Sequence, residues 1–144
     1  MSDKDFSFSD VVEKWGVFEF SVNGRTDGNP FTDHNIKGEF RGGSEILSVN
    51  GFYDGDGVYK VRFMPSYEGR YSFRISGSFS EKVFEGEFEA VKPGHGNHGP
   101  VDVVNTYHFG YADGTPYYSI GTTCYAWANQ SRALREKTIE TLRG

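Results

Sequence analysis

The stretch of sequence that decides the fold is GFYDGDGVYKVRFMP, residues 51–65. Its second half alternates, with apolar side chains on one face (Tyr59, Val61 and Phe63) and basic side chains on the other (Lys60 and Arg62). This two-residue period is typical of a β-strand that is buried on one face. The preceding DGDG, residues 54–57, is a strong turn signal. The stretch therefore predicts a β-hairpin with one face in a hydrophobic core.

The same alternation recurs along the chain between turn-forming residues, in residues 17–22, 36–40, 70–76 and 83–91, and residues 45–53 are interpreted as a further strand. Short alternating strands at this spacing indicate an antiparallel sandwich of two sheets. We expect residues 17–91 to form it, around seven inward aromatic side chains: Phe18, Phe20, Phe40, Phe63, Tyr71, Phe73 and Phe88. In SYEGRY, Gly69 stands two residues before Tyr71, which is similar to the tyrosine corner of immunoglobulin-like domains.

The sequence changes character after Lys92. KPGHGNHGPVDVVN (residues 92–105) is rich in Gly, Pro and His and is interpreted as a linker or a surface crossing. YHFGYADGTPYYSIG (residues 107–121) predicts two short strands around a turn at Asp113 and Gly114. Residues 131–144 predict an amphipathic helix with Ser131 as N-cap and Gly144 as C-terminal cap. Its apolar stripe consists of Leu134, Thr138, Ile139 and Leu142.

A strand, a short loop and a helix make up half of a βαβ unit. The strand predicted at residues 117–122 is apolar on both faces, so it needs neighbours that cover both. We therefore expect the chain to be cut within an α/β unit of a longer protein.

Composition narrows the class of protein. The chain of 144 residues has room for one domain and carries a net charge of −5, with no Lys/Arg cluster to bind phosphates. Nucleic acid and anionic membrane surfaces are therefore not expected partners. The N-terminus lacks the features of a signal peptide, and the lone Cys124 excludes an intrachain disulfide. A cytoplasmic protein is expected, or a secreted or periplasmic one whose signal peptide has been removed.

Two groups of residues resemble metal sites but have plainer interpretations. His95 and His98 have ligand-like spacing, yet zinc requires three or four ligands, so inter-domain turn residues are the better interpretation. Asp54 and Asp56 begin like a calcium loop, but the pattern breaks at Val58, which favours a hairpin turn. We expect no metal and no cofactor.

Two further groups resemble catalytic residues. Cys124 has no activating neighbour in the sequence, so a small buried apolar side chain is expected. Glu85, Glu87 and Glu89 alternate along one strand, as on a solvated sheet face. No catalytic residue is predicted within the chain.

Five segments occur here in an order that is similar to the N-terminal part of a group of bacterial glycoside hydrolases: WGVFEFSVNG, GFYDGDGVYKVRFMP, EGRYSF, NHGPV and YADGTPYYSIGTTCYAW. The resemblance covers residues 12–144. In that group an immunoglobulin-like domain precedes a (β/α)₈ barrel related to the apiosidase-like hydrolases. The resemblance implies a mainly β fold, with an immunoglobulin-like sandwich at residues 1–103 and a truncated barrel stub (hairpin, one strand, one helix) at residues 104–144.

The same resemblance implies where functional residues lie. The first barrel strand would be residues 117–122, and Thr123, Tyr125 and Trp127 would bind oligosaccharide substrate beyond its end in the complete parent protein. Packing between loops is the alternative for the two aromatic side chains. His98 and Pro100 would contact the neighbouring domain. The catalytic carboxylates would lie on later strands, outside this chain.

Three functions are compatible with these features. The first is an accessory domain that supports the missing catalytic barrel of a hydrolase acting on plant or microbial oligosaccharides, with a dimer through the truncated tail as a further expectation. The second is a stand-alone carbohydrate-binding β-sandwich module, and the third a structural or adhesion domain. The aromatic residues of the clear strands point inward, which favours the first over the second.

Overall fold

A computed structural model describes residues 6–143 of the chain. In this range the strands are β1 (Phe6–Phe8), β2 (Val11–Glu13), β3 (Phe18–Asn23), β4 (Ile36–Gly42), β5 (Glu45–Asn50), β6 (Phe52–Gly55), β7 (Val58–Phe63), β8 (Gly69–Gly77), β9 (Ser80–Val91), β10 (Val101–Val104) and β11 (His108–Tyr111). The helices are α1 (Pro30–Asp33), a 3₁₀ turn at Trp127–Asn129, and α2 (Arg132–Arg143). Among these residues no helix is long and apolar enough to cross a membrane.

Two sheets form the sandwich, and the prediction of a mainly β fold with antiparallel sheets is confirmed. One sheet has the strand order β1-β3-β7-β6 and the other β2-β9-β8-β4-β5. Strands β2 and β9 pair in parallel, and the other described pairs are antiparallel. Strands β1 and β2 lie before the predicted start of the sandwich. They were not predicted because a three-residue strand is too short to show an alternating pattern.

The seven aromatic residues predicted for the core are all buried. Their rings join the two sheets directly: the Phe18 and Phe88 centroids are 4.3 Å apart, and those of Phe40 and Phe63 are 4.2 Å apart. Burying such a side chain contributes about 1.5–3 kcal/mol. The inward-facing aromatic side chains of the alternating strands therefore hold the two sheets together.

The hairpin at residues 52–63 has the turn that its sequence predicts. Asp56 and Gly57 have φ values of 49° and 80°, which is the backbone of a type I′ turn. The hydroxyl of Tyr53 accepts a hydrogen bond from the N–H of Gly57 at 2.9 Å. Asp54 pairs with Lys60 at 2.7 Å, so this carboxylate is used within the hairpin.

One predicted strand is two strands in the structure. Residues 45–53 divide at Gly51, where the chain leaves the sheet of β5 and enters the sheet of β6. The Gly51 N–H donates to the Ile36 carbonyl at 2.7 Å, and a Cβ here would overlap the carbonyl oxygen of Lys60. Alternation continues across Gly51, so the sequence pattern did not reveal the crossing.

Tyr71 makes the hydrogen bond expected of a tyrosine corner. Its hydroxyl accepts from the N–H of Tyr67 at 3.1 Å and donates to the carboxylate of Glu45. Burial, reinforced by Glu45, raises the pKa of Tyr71 to about 12. The corner thereby ties strand β5 to the start of β8.

The segment after the sandwich differs from the predictions in two places. Residues 101–104, interpreted as linker, form β10 and pair with β11, so the predicted domain boundary at 103 lies within a strand. The predicted strand at residues 117–122 does not form: a bridge joins Gly110 to Pro116 just before it, the Tyr117 N–H donates to the Phe109 carbonyl at 3.3 Å, and the following residues pair with no strand among residues 6–143. The division into domains stays a prediction.

The predicted helix is present as α2. The Ser131 hydroxyl accepts from the Leu134 N–H at 3.4 Å, which is the geometry of an N-cap. Gly144, the predicted C-terminal cap, lies outside the described residues.

Candidate functional site

The candidate site is the region where the sandwich meets the segment that follows it. We call the contacts among residues 13–15, 92–100 and 112–115 the seam, and the exposed apolar side chains of residues 101–142 the tail surface. The seam holds the tail in place, and the tail surface is what the chain presents beyond the sandwich.

Trp15 anchors the loop between β9 and β10 to the sandwich. It has a left-handed backbone conformation with φ 64°, which costs a non-glycine residue about 1–3 kcal/mol, and its N–H donates to the Pro65 carbonyl at 2.8 Å. The indole lies against Gly99, where an added Cβ would be 2.6 Å from ring carbon Cδ2. The ammonium of Lys14 lies 4.1 Å from the ring centroid, a cation–π contact. The close contact therefore requires glycine at position 99.

Asn97 makes the second attachment. Its side-chain amide donates to Glu13 Oε2 at 2.8 Å and to the Lys14 carbonyl at 3.1 Å. This hydrogen bond, with one from the Gly94 N–H, holds the pKa of Glu13 below its usual value. The carboxylate of an edge strand is thus bonded to the loop.

His98 and Pro100 connect the loop after β9 to the turn after β11. Nδ1 of His98 lies 2.7 Å from Asp113 Oδ2, and the Thr115 N–H donates to Asp113 Oδ1 at 2.9 Å. These contacts, His98 first, lower the pKa of Asp113 to about 2. The N–H of Ala112 donates to the Pro100 carbonyl at 2.9 Å. His98 and Pro100 therefore both bond to the turn after β11, while their role as inter-domain contacts stays a prediction.

The β10–β11 hairpin begins the tail surface. No residue of β10 is buried, although the strand is rich in valine. The exposed apolar residues of this hairpin are Val101, Val103, Val104, Tyr107 and Phe109. A hairpin with this much apolar surface in contact with water is typical of an element that packs against another surface.

The three predicted substrate-binding residues lie apart in this chain. Thr123 is exposed, and Tyr125 is 92% exposed. Trp127 is half-buried against α2, and its indole N–H donates to the Arg135 carbonyl at 3.3 Å. The cleft beside Trp127, of about 380 Å³, is lined by α2 and includes neither Thr123 nor Tyr125. Their role in substrate binding stays a prediction.

Cys124 was expected to be buried, and this is wrong for the chain as it stands, because its thiol is exposed. The residues around Cys124 belong to no sheet, so no second layer covers the side chain.

Helix α2 completes the tail surface. None of its described side chains is buried, and its predicted stripe faces water at Leu134, Ile139 and Leu142. Nε of Arg135 is enclosed, yet it has no hydrogen-bond partner among residues 6–143. Helices of this length depend on packing for their stability. The stripe is therefore a surface that lacks its partner within the described chain.

Sequence reasoning missed Trp15 and the pairing of His98 with Asp113. Trp15 precedes the first predicted strand, and its partners lie far along the chain, so no local pattern marks it. The signal available was the glycine-rich spacing around His98, which was interpreted as a linker.

The chain is similar to one protein family and to two solved structures. A family model described as "Domain of unknown function (DUF5060)" matches residues 11–78. The chain is also similar to an endo-β-1,4-mannanase from Thermotoga petrophila, with 18% identity over 65% of this chain and 21% of that one, but the TM-score of 0.37 supports no argument. No curated protein matches.

The informative likeness is to the crystal structure of a "putative glycoside hydrolase" from Bacteroides vulgatus. The two are 41% identical, with a TM-score of 0.84 over 92% of this chain. The chain spans only 26% of the length of that protein. This likeness relates the chain, over nearly all of its length, to one part of a protein described as a "putative glycoside hydrolase".

Proposed function

We propose that this chain is the N-terminal accessory part of a glycoside hydrolase, which packs against the catalytic (β/α)₈ barrel and supports it without being catalytic itself. In this proposal residues 1–103 are an immunoglobulin-like sandwich, and residues 104–144 contribute the beginning of an apiosidase-like barrel. The parent protein acts on plant or microbial oligosaccharides and carries its catalytic carboxylates outside this chain.

The observation that supports the proposal is that this chain matches one part of a longer protein and exposes apolar side chains in its tail. The match takes in nearly all of this chain but only 26% of the Bacteroides vulgatus protein. Much of the exposed apolar surface lies in the tail, where Tyr118 and Ile120 are among the most exposed large side chains. A neighbouring domain of the parent protein is the partner that fits this arrangement.

In this proposal the seam has a mechanical role. Trp15 and Asn97 hold the loop after β9 against the sandwich. His98 lies in the same loop and contacts Asp113, so the turn after β11 is also held in place. Elements that are fixed at both ends lose little conformational entropy when they dock. The barrel therefore meets a hairpin whose orientation is already set.

The residues after the hairpin take their final positions only when the barrel is complete. Residues 117–122 then gain the strand neighbours they lack, and Thr123, Tyr125 and Trp127 reach the substrate side of the barrel. Thr123 hydrogen-bonds the oligosaccharide, and the aromatic rings stack on it. Without the barrel, the α2 stripe pairs with a second copy of the chain, which sedimentation equilibrium would report as a dimer.

The test compares the 144-residue chain with the full-length product of its gene on aryl-glycoside substrates. We expect hydrolysis by the full-length protein and none by the chain. Turnover by the purified chain that is abolished by a substitution within residues 1–144 would contradict the proposal. For the site, Trp127→Ala in the full-length protein should change kcat or KM, and unchanged values of both would reduce Trp127 to a packing residue.

A further inference from the structure

A second cleft lies in the sandwich itself, where the chain crosses between the sheets at Gly51. It has a volume of about 550 Å³, within the range of about 300–1,000 Å³ that is usual for small-molecule sites. Its lining includes four aromatic residues (Phe31, Phe52, Tyr53 and Tyr59) and four polar or charged ones (His34, Asn35, Lys37 and Asn50). It shares no residue with the seam or the tail surface.

Two aromatic rings of this cleft, Phe31 and Phe52, are exposed, whereas Tyr53 is half-buried and Tyr59 is buried. Phe31 is 72% exposed, and its ring meets Tyr53 edge-on, with centroids 5.0 Å apart and an interplanar angle of 89°. Tyr53 is fixed by its hydrogen bond to Gly57. Phe52 is 38% exposed. Exposing rigid rings to water is costly, so an ordered pair beside a cleft indicates a ligand surface.

The short helix α1 is built so that it holds Phe31 there. Asn29 is its N-cap, and its side-chain oxygen accepts from the Phe31 N–H at 3.2 Å. In return the Asn29 N–H donates to Asp33 Oδ2 at 2.8 Å. This reciprocal pair, with Pro30 in the first turn, locks a one-turn helix that has no buried residue. The helix contributes little to the core and serves to present Phe31.

His34 lies in the lining of the cleft. Its side chain is 10% exposed, and Nε2 is enclosed without a hydrogen-bond partner in the described part of the chain. Oδ1 of Asp27 is 3.8 Å away, beyond hydrogen-bonding distance. A buried polar atom without a partner needs an explanation, and a ligand site is one. The amides of Asn35 and Asn50 add donors and acceptors at the same cleft.

We propose that this cleft binds one or more sugar rings of an oligosaccharide. A sugar has an apolar C–H face that packs on an aromatic ring, and a rim of hydroxyls that pair with amide and imidazole groups. The cleft offers both kinds of surface, whereas a purely apolar ligand would leave Asn35, Asn50 and His34 unpaired. The lining includes Lys37 and, within the described residues, no carboxylate, so it accepts neutral and acidic sugars alike.

This site is independent of the accessory role proposed above, since it lies wholly within residues 30–59. It also limits the prediction that the aromatic residues of the sandwich point inward. The predicted strands point their aromatic residues inward, but Phe31 lies on α1, between two of those strands, and Phe52 follows the crossing at Gly51.

The experiment titrates the ¹⁵N-labelled 144-residue chain with cellotetraose, xylotetraose and tetragalacturonate at millimolar concentrations. We expect at least one of the three to shift amide resonances of residues 30–37 and 50–53. Phe31→Ala should weaken that binding about tenfold, the loss of about 1.4 kcal/mol, and Phe52→Ala should weaken it as well. Both side chains are exposed, so dispersed spectra of the free variants establish that they fold.

The matched control is Tyr118→Ala, which removes an equally exposed ring from the tail surface and should leave the affinity unchanged. Absence of shifts with all three sugars would overturn the proposal, as would binding that Tyr118→Ala weakens and Phe31→Ala does not. Neither outcome depends on glycosidase activity, so the accessory role is tested separately.

Discussion

Nδ1 of His98 lies 2.7 Å from Oδ2 of Asp113, and this contact joins the loop after the sandwich to the turn that follows β11. Asp113 also accepts from the Thr115 N–H, so its two carboxylate oxygens have different partners. This contact between side chains 15 positions apart adds to the backbone hydrogen bonds that Ala112 and Asp113 donate to Pro100 and His98.

The charge state of Asp113 should reflect this contact. Its pKa in the folded chain is about 2, below the value of 3.8 for a free side chain. The pair therefore stabilises the folded seam fully above pH 3.8, and this contribution is lost as the pH falls through about 2. An NMR titration of the Asp113 carboxyl carbon should show the low midpoint. His98→Ala, which keeps the Thr115 contact, should move the midpoint towards 3.8, and an ordinary midpoint in the unmodified chain would contradict the assignment.

Phe18→Ala should destabilise the sandwich by about 3–5 kcal/mol, because it empties the centre of the core where Phe18 stacks on Phe88. Urea unfolding measures this change. Val17→Ala, at the exposed neighbouring position, is the control and should cost little. Equal losses of stability in the two variants would contradict the prediction that Phe18 faces the core and Val17 faces solvent.

Tyr71→Phe should cost about 1–3 kcal/mol, since it leaves the Tyr67 N–H and the Glu45 carboxylate without their shared partner. Tyr107→Phe is the matched control because that side chain is exposed. The free energies of unfolding of the two variants, measured in urea, should differ clearly. A loss of stability in Tyr107→Phe alone would contradict the role given to the corner.

Gly51→Ala should destabilise the chain by about 1–3 kcal/mol, because the new methyl group meets the Lys60 carbonyl and the side chain of Ile36. Gly121→Ala has open space around the added Cβ and should be nearly neutral. Thermal unfolding of the two variants checks this. A fully stable Gly51→Ala variant would mean that the crossing between sheets follows another path.

The sandwich could be predicted because each strand carries its own evidence. In β3 and β7 the alternation of Phe18, Phe20, Val61 and Phe63 with charged residues specifies which face is buried, without reference to the rest of the chain. The division at Gly51 could not be predicted in this way, since both strands keep the same alternation and only the tertiary path separates them.

The candidate sites were harder to predict because their contacts are not local. Trp15 and Gly99 meet across the chain, and Phe31 becomes a surface aromatic residue only when α1 folds beside Tyr53. The strand expected at residues 117–122 illustrates the opposite case. Its apolar sequence is suited to a sheet, but a strand requires hydrogen-bonding neighbours, and the described chain supplies a single bridge at Pro116.

Hydrogen–deuterium exchange of the tail tests most directly the proposal that this chain packs against a catalytic barrel. Amide exchange over residues 101–143 should be compared between the 144-residue chain and the full-length product of its gene, with the β8–β9 amides as the internal reference. At a protein concentration at which the chain is monomeric, we expect exchange at residues 117–143 to be fast in the chain and strongly slowed in the full-length protein, while β8 and β9 exchange equally slowly in both. Equal rates over residues 117–143 in the two proteins would show that no barrel covers the tail, and would contradict the account.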